Sequence, residues 1–342
     1  MESKLFIHSN ANAVTTISEV KRVHTELEAQ SFLGIYAYAT QSGAATFDIE
    51  MGETFWSGTE SRWMLGIDYG RTHPQAVRSL LAKPNSQVRI HDGSWLVGRK
   101  GFLPRRDFHA KSAILMNVAS GYSGVVSGSG NLSSNGLKRS IEAGATVVAH
   151  SEHFDQIGLT SKISIVEQLW SAATPAESII QDYETEWKKS FSRAPTSTQI
   201  QPLQSVPPVF WIEAGYVTRN RGKSRPGNQI DFPRGMGNYF GLQYPDNIQK
   251  NSVIGELTFI PPIGAPVTNN LRLGNNLMEK VSLPTPETHG LDIYDGKVLV
   301  FQRTTNGFLL DALETADFES AFGDKLNDVN IMSSGRRFGL IS

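Results

Sequence analysis

The chain has 342 residues, a net charge of −1 and a pI near 6.7, so any surface for nucleic acid must be local. Hydrophobic residues make up 39% and charged residues 19% of it, which predicts a globular rather than a disordered protein. The absence of cysteine excludes disulfides and thiolate metal sites. No apolar run is long enough for a signal peptide or a membrane span, so we expect a cytoplasmic protein with no membrane partner.

Strand and helix patterns alternate in the first half of the chain. Residues 17–30 repeat apolar side chains at helical spacing, and residues 74–83 predict a helix with Pro at its first turn. Further helices are expected at residues 153–172 and 176–191. Strands are expected at 31–40, 62–68, 87–91, 112–118 and 143–149. This alternation predicts an α/β domain over residues 1–191, in which a mixed sheet is flanked by helices.

Residues 109–142 gather most of the reactive side chains of this domain. His109 and Lys111 are separated by one residue, so in a strand their side chains would share a face. We expect a turn at residues 121–124 and a short return strand at 125–127. That strand leads into the loop Gly128-Ser129-Gly130-Asn131, which we expect to open a helical turn at Leu132.

These residue types together suit a phosphate diester. The Lys111 ammonium neutralises non-bridging oxygens, and Ser129, Asn131 and the loop amides can hydrogen-bond them. His109 can attack phosphorus, because imidazole is both a nucleophile and a leaving group near neutral pH. Glu142 could hold the other ring nitrogen of a histidine and so select its tautomer.

The order His-x-Lys, Gly-Ser-x-Asn and then Glu resembles the phospholipase D superfamily. His109, Lys111, Ser129 and Asn131 match the signature of that family, whereas its Asp is replaced by Met116. The replacement argues against the lipases and for the small nuclease branch, in which a downstream Glu takes the orienting role. The resemblance implies a phospholipase-D-like nuclease that needs no cofactor and no metal. Its catalytic set would be His109, Lys111, Ser129, Asn131 and Glu142.

The composition changes after residue 191. Residues 192–208 contain four prolines and no acidic residue, which predicts an interdomain linker. Beyond it, short apolar runs are broken by Gly, Asn and Pro, which predicts an all-β module, barrel or sandwich, over residues 209–342. The predicted strands of this module are 209–217, 239–243, 253–260, 271–273, 280–283, 297–302 and 307–310.

Residues 218–234 contain five basic residues and one acid. A solvated loop would explain such a cluster, but its place in a β module joined to a phosphodiesterase favours an arm laid along DNA. Arginines would then contact guanine edges and phosphates, and amides would suit adenine. The candidates for DNA binding in this stretch are Arg219, Arg221, Lys223, Arg225, Asn228, Gln229 and Arg234.

The last nine residues, together with 256–259 and 271–274, resemble the BfiI-like restriction endonucleases. That family joins a phospholipase-D-type nuclease to a DNA-binding pseudobarrel of the plant B-three type. The resemblance implies a bacterial cytoplasmic enzyme that cuts double-stranded DNA in a restriction system with a cognate methyltransferase. It also implies a second DNA-contacting loop, with Arg272, Asn275 and Asn276. Related nucleases of the NgoAVII and CglI type work beside a separate helicase, an ATPase subunit.

No other histidine is followed by Lys at the second position, so the chain carries one half of a two-motif site. Family members use a second His-x-Lys motif to protonate the leaving oxygen. We therefore expect a homodimer in which two copies of His109 and Lys111 form one site.

Two other functions stay open: hydrolysis of a lipid or another phosphodiester, and a non-catalytic DNA-binding regulator. His91-Asp92 and the pair His150 and His153 are interpreted as coincidences rather than metal ligands. Trp56, Trp63 and Trp95 are interpreted as packing residues rather than as platforms for stacking bases.

Overall fold

The computed structural model describes residues 1–8, 14–191, 206–222, 224–244, 248–332 and 335–342. Two compact units divide the chain, Met1–Phe191 and Ser192–Ser342. Of the predicted linker at 192–208, residues 192–205 lie outside the described ranges. Lys223, one of the candidates for DNA binding, also lies outside them.

The first unit contains eight strands and six α-helices among its described residues. They are β1 (Glu2–His8), α1 (Thr16–Leu27), β2 (Ser31–Tyr36), α2 (Gln41–Gly58), β3 (Glu60–Leu65), α3 (Pro74–Leu81), β4 (Ser86–Ile90), α4 (Gly93–Val97), β5 (Lys111–Asn117), β6 (Tyr122–Gly128), β7 (Glu142–His150), α5 (Leu159–Ala172), β8 (Thr174–Pro175) and α6 (Ile180–Phe191).

The strands form one mixed sheet in the order β1-β7-β6-β5-β2-β3-β4-β8. Strands β2, β3 and β4 are parallel to one another, and the other neighbours are antiparallel. Apolar side chains of α1, α2, α3 and α6 form the core on one face, and α5 packs through Trp170 on the other. The prediction of a mixed sheet flanked by helices is therefore confirmed.

Four elements of this unit were not predicted, namely β1, α2, α4 and β8. Strand β1 pairs with β7 along its whole length, from Glu2 opposite Val148 to His8 opposite Glu142. Helix α2 begins at Gln41, directly after the expected strand at 31–40, and the Thr40 side chain caps it by accepting a hydrogen bond from Gly43 N at 3.0 Å. Its apolar residues surround the helix instead of forming one stripe, so helical periodicity did not reveal it.

Several predicted boundaries were wrong. The turn before β6 lies at residues 118–121, so the return strand begins at Tyr122 rather than at residue 125. The helical turn after the glycine-rich loop is a π-helix at Asn135–Arg139, later than the expected start at Leu132. Helices α5 and α6 begin at Leu159 and Ile180, because short 3₁₀ turns occupy the residues expected to start them.

The second unit is built on a nine-stranded sheet in the order β10-β13-β12-β11-β15-β14-β9-β17-β16. Its elements are β9 (Val209–Glu213), β10 (Gln229–Phe232), β11 (Val253–Ile260), β12 (Val267–Leu273), β13 (Glu279–Ser282), β14 (Val298–Thr304), β15 (Gly307–Leu313), α7 (Thr315–Phe322), β16 (Leu326–Ile331) and β17 (Arg337–Ile341). All described neighbours are antiparallel except β11 and β15.

An aromatic cluster that includes Phe210, Phe240 and Phe301 fills the core of this sheet. The strand expected at 239–243 is absent, because Tyr239 and Phe240 enter this core from a 3₁₀ turn at Met236–Asn238. The nine strands agree with the expected β module, which also contains one α-helix among its described residues. Helix α7 covers Trp211, whose ring lies 4.8 Å from that of Phe318. Strands β10, β16 and β17 were not predicted.

No helix among the described residues is long and apolar enough to cross a membrane.

Candidate active site

The predicted catalytic residues of the first unit lie around one end of its sheet, where β5, β6 and β7 are neighbours. Lys111 opens β5 and stands opposite Tyr36 of β2, and Glu142 opens β7. In β5 the Lys111 side chain lies on the same face as Ala113 and Leu115. Those two residues belong to the core formed with α1, α2, α3 and α6. His109 lies two residues before the strand, so the two side chains do not meet through strand alternation as the sequence suggested.

His109 and Lys111 contact each other because the lysine side chain turns back along the chain. Lys111 Nζ lies 2.9 Å from His109 Nδ1 and donates to the His109 carbonyl oxygen at 2.9 Å. An ammonium can only donate, so Nδ1 accepts and the proton of the neutral imidazole lies on Nε2. A neutral imidazole is a poor acid, so His109 in this tautomer must gain a second proton before it can protonate a leaving oxygen.

The surroundings of Lys111 make its ammonium easier to deprotonate than that of a free lysine. Partial burial lowers the pKa of Lys111 below its usual 10.5, and the positive charge of Arg71 lowers it further. The Glu142 carboxylate acts in the opposite direction and only partly offsets this. Lys111, Glu142 and Arg71 are thus close enough in space to influence one another.

Ser129 and Glu142 are joined by a hydrogen bond between neighbouring strand ends. The Ser129 hydroxyl donates to Glu142 Oε2, and it accepts from Ala143 N at 3.1 Å. Ser129 N also donates to the Ala143 carbonyl oxygen at 3.0 Å. Among the described residues, Glu142 is hydrogen-bonded to this serine and not to a histidine ring. The expected orientation of His109 by Glu142 is therefore not seen within one chain.

Asn131 uses one end of its carboxamide to attach the glycine-rich loop to the segment that follows β2. Its Oδ1 accepts from Tyr38 N at 3.3 Å, and Leu132 forms a bridge with Ala39. Among the described residues, Nδ2 has no hydrogen-bond partner, so it is available to donate to a phosphate oxygen.

The glycines of this loop permit close backbone contacts. A Cβ on Gly130 would lie 2.3 Å from the carbonyl oxygen of Gly136, and one on Gly128 would lie 2.7 Å from that of Ala143. Both distances are too short for any side chain. The loop therefore needs glycine for space and not for a left-handed conformation, since neither residue has a positive φ.

Sequence reasoning missed the residues that hold the segment before His109. Asp68 Oδ2 accepts from Phe108 N at 2.8 Å, and the Tyr69 hydroxyl donates to Asp107 Oδ1 at 2.9 Å. Burial raises the pKa of Asp68, while the hydrogen bond from Phe108 acts against the rise. These partners are 40 and 38 residues apart, so no local spacing could have linked them.

Strand β13 brings together the two segments of the second unit that were predicted to bind DNA. Strand β13 pairs with β10 on one side and β12 on the other, which places Asp231, Lys280 and Arg272 in one row. Asn276 Nδ2 donates to Asp231 Oδ2 at 3.3 Å. The two predicted loops, residues 219–234 and the turn near residue 275, thus meet across β13.

Some of these candidates already have partners in the protein. Arg221 forms a bidentate ion pair with Glu287. Asn228 Nδ2 donates to the Leu283 carbonyl oxygen at 2.7 Å, and Asn275 Oδ1 accepts from Asn251 at 3.0 Å. Asn228 and Asn275 therefore serve the fold. The exposed candidates with the longest reach are Arg225, Arg234 and Arg272, while Arg219 and Gln229 are half-buried.

A buried carboxylate supports the loop that carries Arg234. Glu279 is fully buried on β13, and it accepts hydrogen bonds from Gly235 N at 2.5 Å, Gly237 N at 2.8 Å and the Tyr244 hydroxyl at 2.6 Å. Burial raises the pKa of Glu279, although these three hydrogen bonds oppose the rise. Nothing in the sequence marked this residue.

The remaining sequence interpretations concern metals and tryptophans. Within the described ranges, no group of three or more His, Cys, Asp or Glu side chains could hold a metal ion. Trp56 and Trp63 are buried in the larger core, as expected. Trp95 is half-buried beneath Arg99 and Arg105, whose Cζ atoms lie 3.6 and 4.2 Å from the ring centroid.

No protein-family model matches the chain, and no curated protein matches it. Among solved structures, NucT from Helicobacter pylori is 15% identical, covers 51% of this chain and 98% of its own length, and gives a TM-score of 0.36. Nuc from Salmonella typhimurium, titled a phospholipase D family member, is 12% identical, with the same coverage and TM-score. Yeast tyrosyl-DNA phosphodiesterase is 10% identical, covers 42% of this chain and 32% of its own, and gives 0.25. At these values the similarities do not identify an activity.

Proposed function

We propose that this chain is a metal-independent endodeoxyribonuclease that cleaves double-stranded DNA at or near a specific sequence, as restriction endonucleases do. The observation that supports this proposal most directly is the contact of His109 with Lys111 beside the Ser129–Glu142 pair at one end of the sheet. Nucleophile, cation, hydroxyl and carboxylate are there together, which is what transfer of a phosphodiester through a covalent histidine requires.

The proposed reaction has two displacements. Nε2 of one His109 attacks phosphorus while the bond from phosphorus to the 3′ oxygen breaks, and the leaving oxygen takes a proton. Water then attacks the phosphohistidine, the P–N bond breaks, and a 5′ phosphate and a 3′ hydroxyl remain. Lys111 and Asn131 Nδ2 stabilise the charge on the non-bridging oxygens in both steps, and in this proposal they supply what a divalent ion often supplies.

Two copies of the chain are needed for this reaction, because it uses an imidazole on each side of phosphorus. We propose a two-fold symmetric homodimer in which His109 of the partner subunit protonates the leaving oxygen. To act as this acid, the partner's His109 must be the imidazolium with both ring nitrogens protonated, so its Nδ1 must exchange Lys111 for an acceptor. The nucleophilic copy needs a free Nε2 and hence an acceptor for Nδ1–H, and Glu142 is the nearby carboxylate with an oxygen to offer.

The second unit is proposed to bind the DNA. Support comes from the exposed Arg225, Arg234 and Arg272 and from the way β13 brings the two candidate loops together. In this proposal the unit is a B-three-like pseudobarrel, and residues 192–208 connect it to a nuclease and dimerisation domain at 1–191. A cognate methyltransferase and a helicase subunit are proposed as partners from the sequence resemblance alone.

Plasmid cleavage in EDTA tests the proposal directly. We expect discrete fragments from the full chain, and no cleavage by the His109→Ala variant. Run-off sequencing of the cut plasmid gives the target and the position of the cut, and an alkaline denaturing quench preserves the acid-labile phosphohistidine. A requirement for Mg²⁺, or full activity of His109→Ala, would contradict the mechanism. Turnover of phosphatidylcholine in place of DNA would favour the lipid alternative, and specific DNA binding without turnover would favour a regulator.

A further inference from the structure

A basic surface lies beside His109 in the first unit and is not explained by the catalytic residues. Two turns form it, Asp68–Gly70 and Lys100–Phe102, which pack against each other. The surface carries the cations Arg71, Arg99, Lys100, Arg105 and Arg106, all of which are exposed. The acidic residues near these cations in the sequence are Asp92, Asp107 and the buried Asp68. This positive excess contrasts with a chain whose net charge is −1.

The cations of this surface are not neutralised by the fold. Among the described residues, Arg71, Lys100 and Arg106 have no carboxylate partner, and only Arg105 approaches one, Asp92 at 3.4 Å. An exposed cation is well solvated and needs no partner, but several close together repel one another. A clustered and unpaired set therefore favours a polyanion as its ligand.

Trp95 holds two of these guanidinium groups in position. Arg99 and Arg105 both lie over its ring, at 3.6 and 4.2 Å from the centroid, so their planes are preorganised rather than freely rotating. Ordering them in the free protein reduces the entropy that would otherwise be lost when they bind a ligand.

Tyr69 adds an exposed aromatic ring to the same surface. It is 43% exposed and has a φ of 57°, a left-handed conformation that is unfavourable for an aromatic residue. Its hydroxyl is anchored on Asp107, two residues before His109, and the Arg71 guanidinium lies 5.4 Å from its centroid. The positive charge of Arg71 also reaches Lys111, where it contributes to the lowered pKa of that ammonium. The ring is thus fixed next to the reacting groups.

We propose that Tyr69 and the cations Arg71, Lys100, Arg105 and Arg106 form a second, sequence-independent contact surface for the nucleic-acid strand on one side of the scissile phosphate. Lys100, Arg105 and Arg106 bind backbone phosphates, and Arg71 binds the phosphate adjacent to the one that reacts. The Tyr69 ring stacks on a base next to the cut, which can happen where the duplex is locally unstacked. The inference rests on the proposed nuclease function and identifies the nuclease unit itself as a DNA-binding element.

The test compares two substrates of the full chain. One is the plasmid DNA whose cleavage tests the proposed function, and the other is bis(p-nitrophenyl) phosphate, which offers the reacting group without flanking phosphates. We expect Lys100→Ala/Arg106→Ala to lower kcat/KM for DNA about ten-fold more than for the small diester at low salt. Because two phosphate contacts are lost, the dependence of log(kcat/KM) on log[salt] should become shallower by roughly 1.8.

Tyr69 is tested by a pair of substitutions. Tyr69→Ala removes the ring and should lower DNA cleavage several-fold relative to the small diester, while Tyr69→Phe keeps the ring and should retain most of it. Lys162→Ala is the matched control, because Lys162 is an exposed cation on α5, which packs on the other face of the sheet. It should change neither the ratio of the two activities nor the salt dependence.

The outcomes separate the two proposals. Equal loss on both substrates, or a salt dependence unchanged by Lys100→Ala/Arg106→Ala, overturns the contact surface while leaving the nuclease intact. If the unsubstituted chain turns over the small diester but never DNA, the nuclease function is wrong, and the surface proposal falls with it. A wild-type chain that cleaves neither substrate contradicts the phosphodiesterase chemistry itself.

Discussion

The hydroxyl of Ser129 donates to the carboxylate of Glu142, thirteen residues later in the chain. The bond forms because β6 and β7 are antiparallel neighbours, which places the end of one beside the start of the other. Ala143 N donates to the same hydroxyl, so the Ser129 hydroxyl acts both as a donor and as an acceptor. In this arrangement the serine is oriented by the glutamate before any substrate is bound.

The coupling of these two residues should be visible in a double-mutant cycle. Glu142→Ala and Ser129→Ala should each lower kcat by about 10-fold to 100-fold, the equivalent of a lost hydrogen bond to a charged group. The double variant should lose scarcely more than either single one, because both remove the same bond. Steady-state kinetics on bis(p-nitrophenyl) phosphate measures all four proteins. Fully additive losses would show that the two side chains act separately.

The basic limb of the pH–rate profile should report Lys111. Its ammonium must be protonated to stabilise phosphate, and burial with the charge of Arg71 lowers its pKa. Activity should therefore begin to fall at a pH below the usual lysine value of 10.5, as the proton is lost. In Lys111→Arg the guanidinium stays protonated, so this limb should disappear even though kcat is lower. An unchanged limb in that variant would assign it to another group.

The ion pair of Arg221 with Glu287 should limit the contribution of Arg221 to DNA binding. Burial alone would raise the pKa of Glu287, but the hydrogen bond from Arg221 and further interactions outweigh it and lower that pKa, so the pair is charged at neutral pH. Glu287→Gln should free the guanidinium and make the salt dependence of DNA binding steeper by about 0.9. Fluorescence anisotropy at several salt concentrations measures this.

Glu256→Gln is the control for this experiment, because it removes the same charge from an exposed position on β11. A similar steepening in the control would show that general repulsion of DNA by acids is responsible. If neither variant changes binding while Arg221→Ala lowers the thermal stability, Arg221 is a structural residue.

The close approach at Gly130 should make it intolerant of any side chain. Gly130→Ala places a Cβ 2.3 Å from the Gly136 carbonyl oxygen, which must move, at a cost of roughly 1–3 kcal/mol. We expect a lower midpoint in thermal unfolding and loss of activity, because the same backbone carries Ser129 and Asn131. Gly58→Ala is the control, since nothing lies within 4 Å of its added Cβ. A Gly130→Ala protein with normal stability and activity would refute the steric argument.

Glu279 should support the Arg234 loop through its three hydrogen bonds. Glu279→Ala leaves two buried glycine amides without acceptors, each at about 1–3 kcal/mol, so the second unit should be strongly destabilised. Tyr244→Phe removes only one of the bonds, and we expect about 1 kcal/mol. Denaturant unfolding followed by circular dichroism distinguishes the two. Equal effects of both variants would mean that the amides find other acceptors.

The sequence by itself determined the chemistry that this protein can offer. The order His109, Lys111, Ser129, Asn131 and Glu142 is readable without coordinates, because each residue type has its own reactivity and the surrounding apolar runs mark strands. The mixed sheet with flanking helices follows from the same alternation, since strand and helix periods are local properties of the chain.

Only the tertiary structure decided which groups meet. Glu142 is bonded to Ser129 because β6 lies beside β7, and Asp68 and Tyr69 hold the segment before His109 across about forty residues of sequence. In the second unit, the partner of Arg221 is 66 residues away. Hydrogen-bond partners of this kind depend on strand order and register, which arise from packing of the whole core, and periodicity along the chain does not encode them.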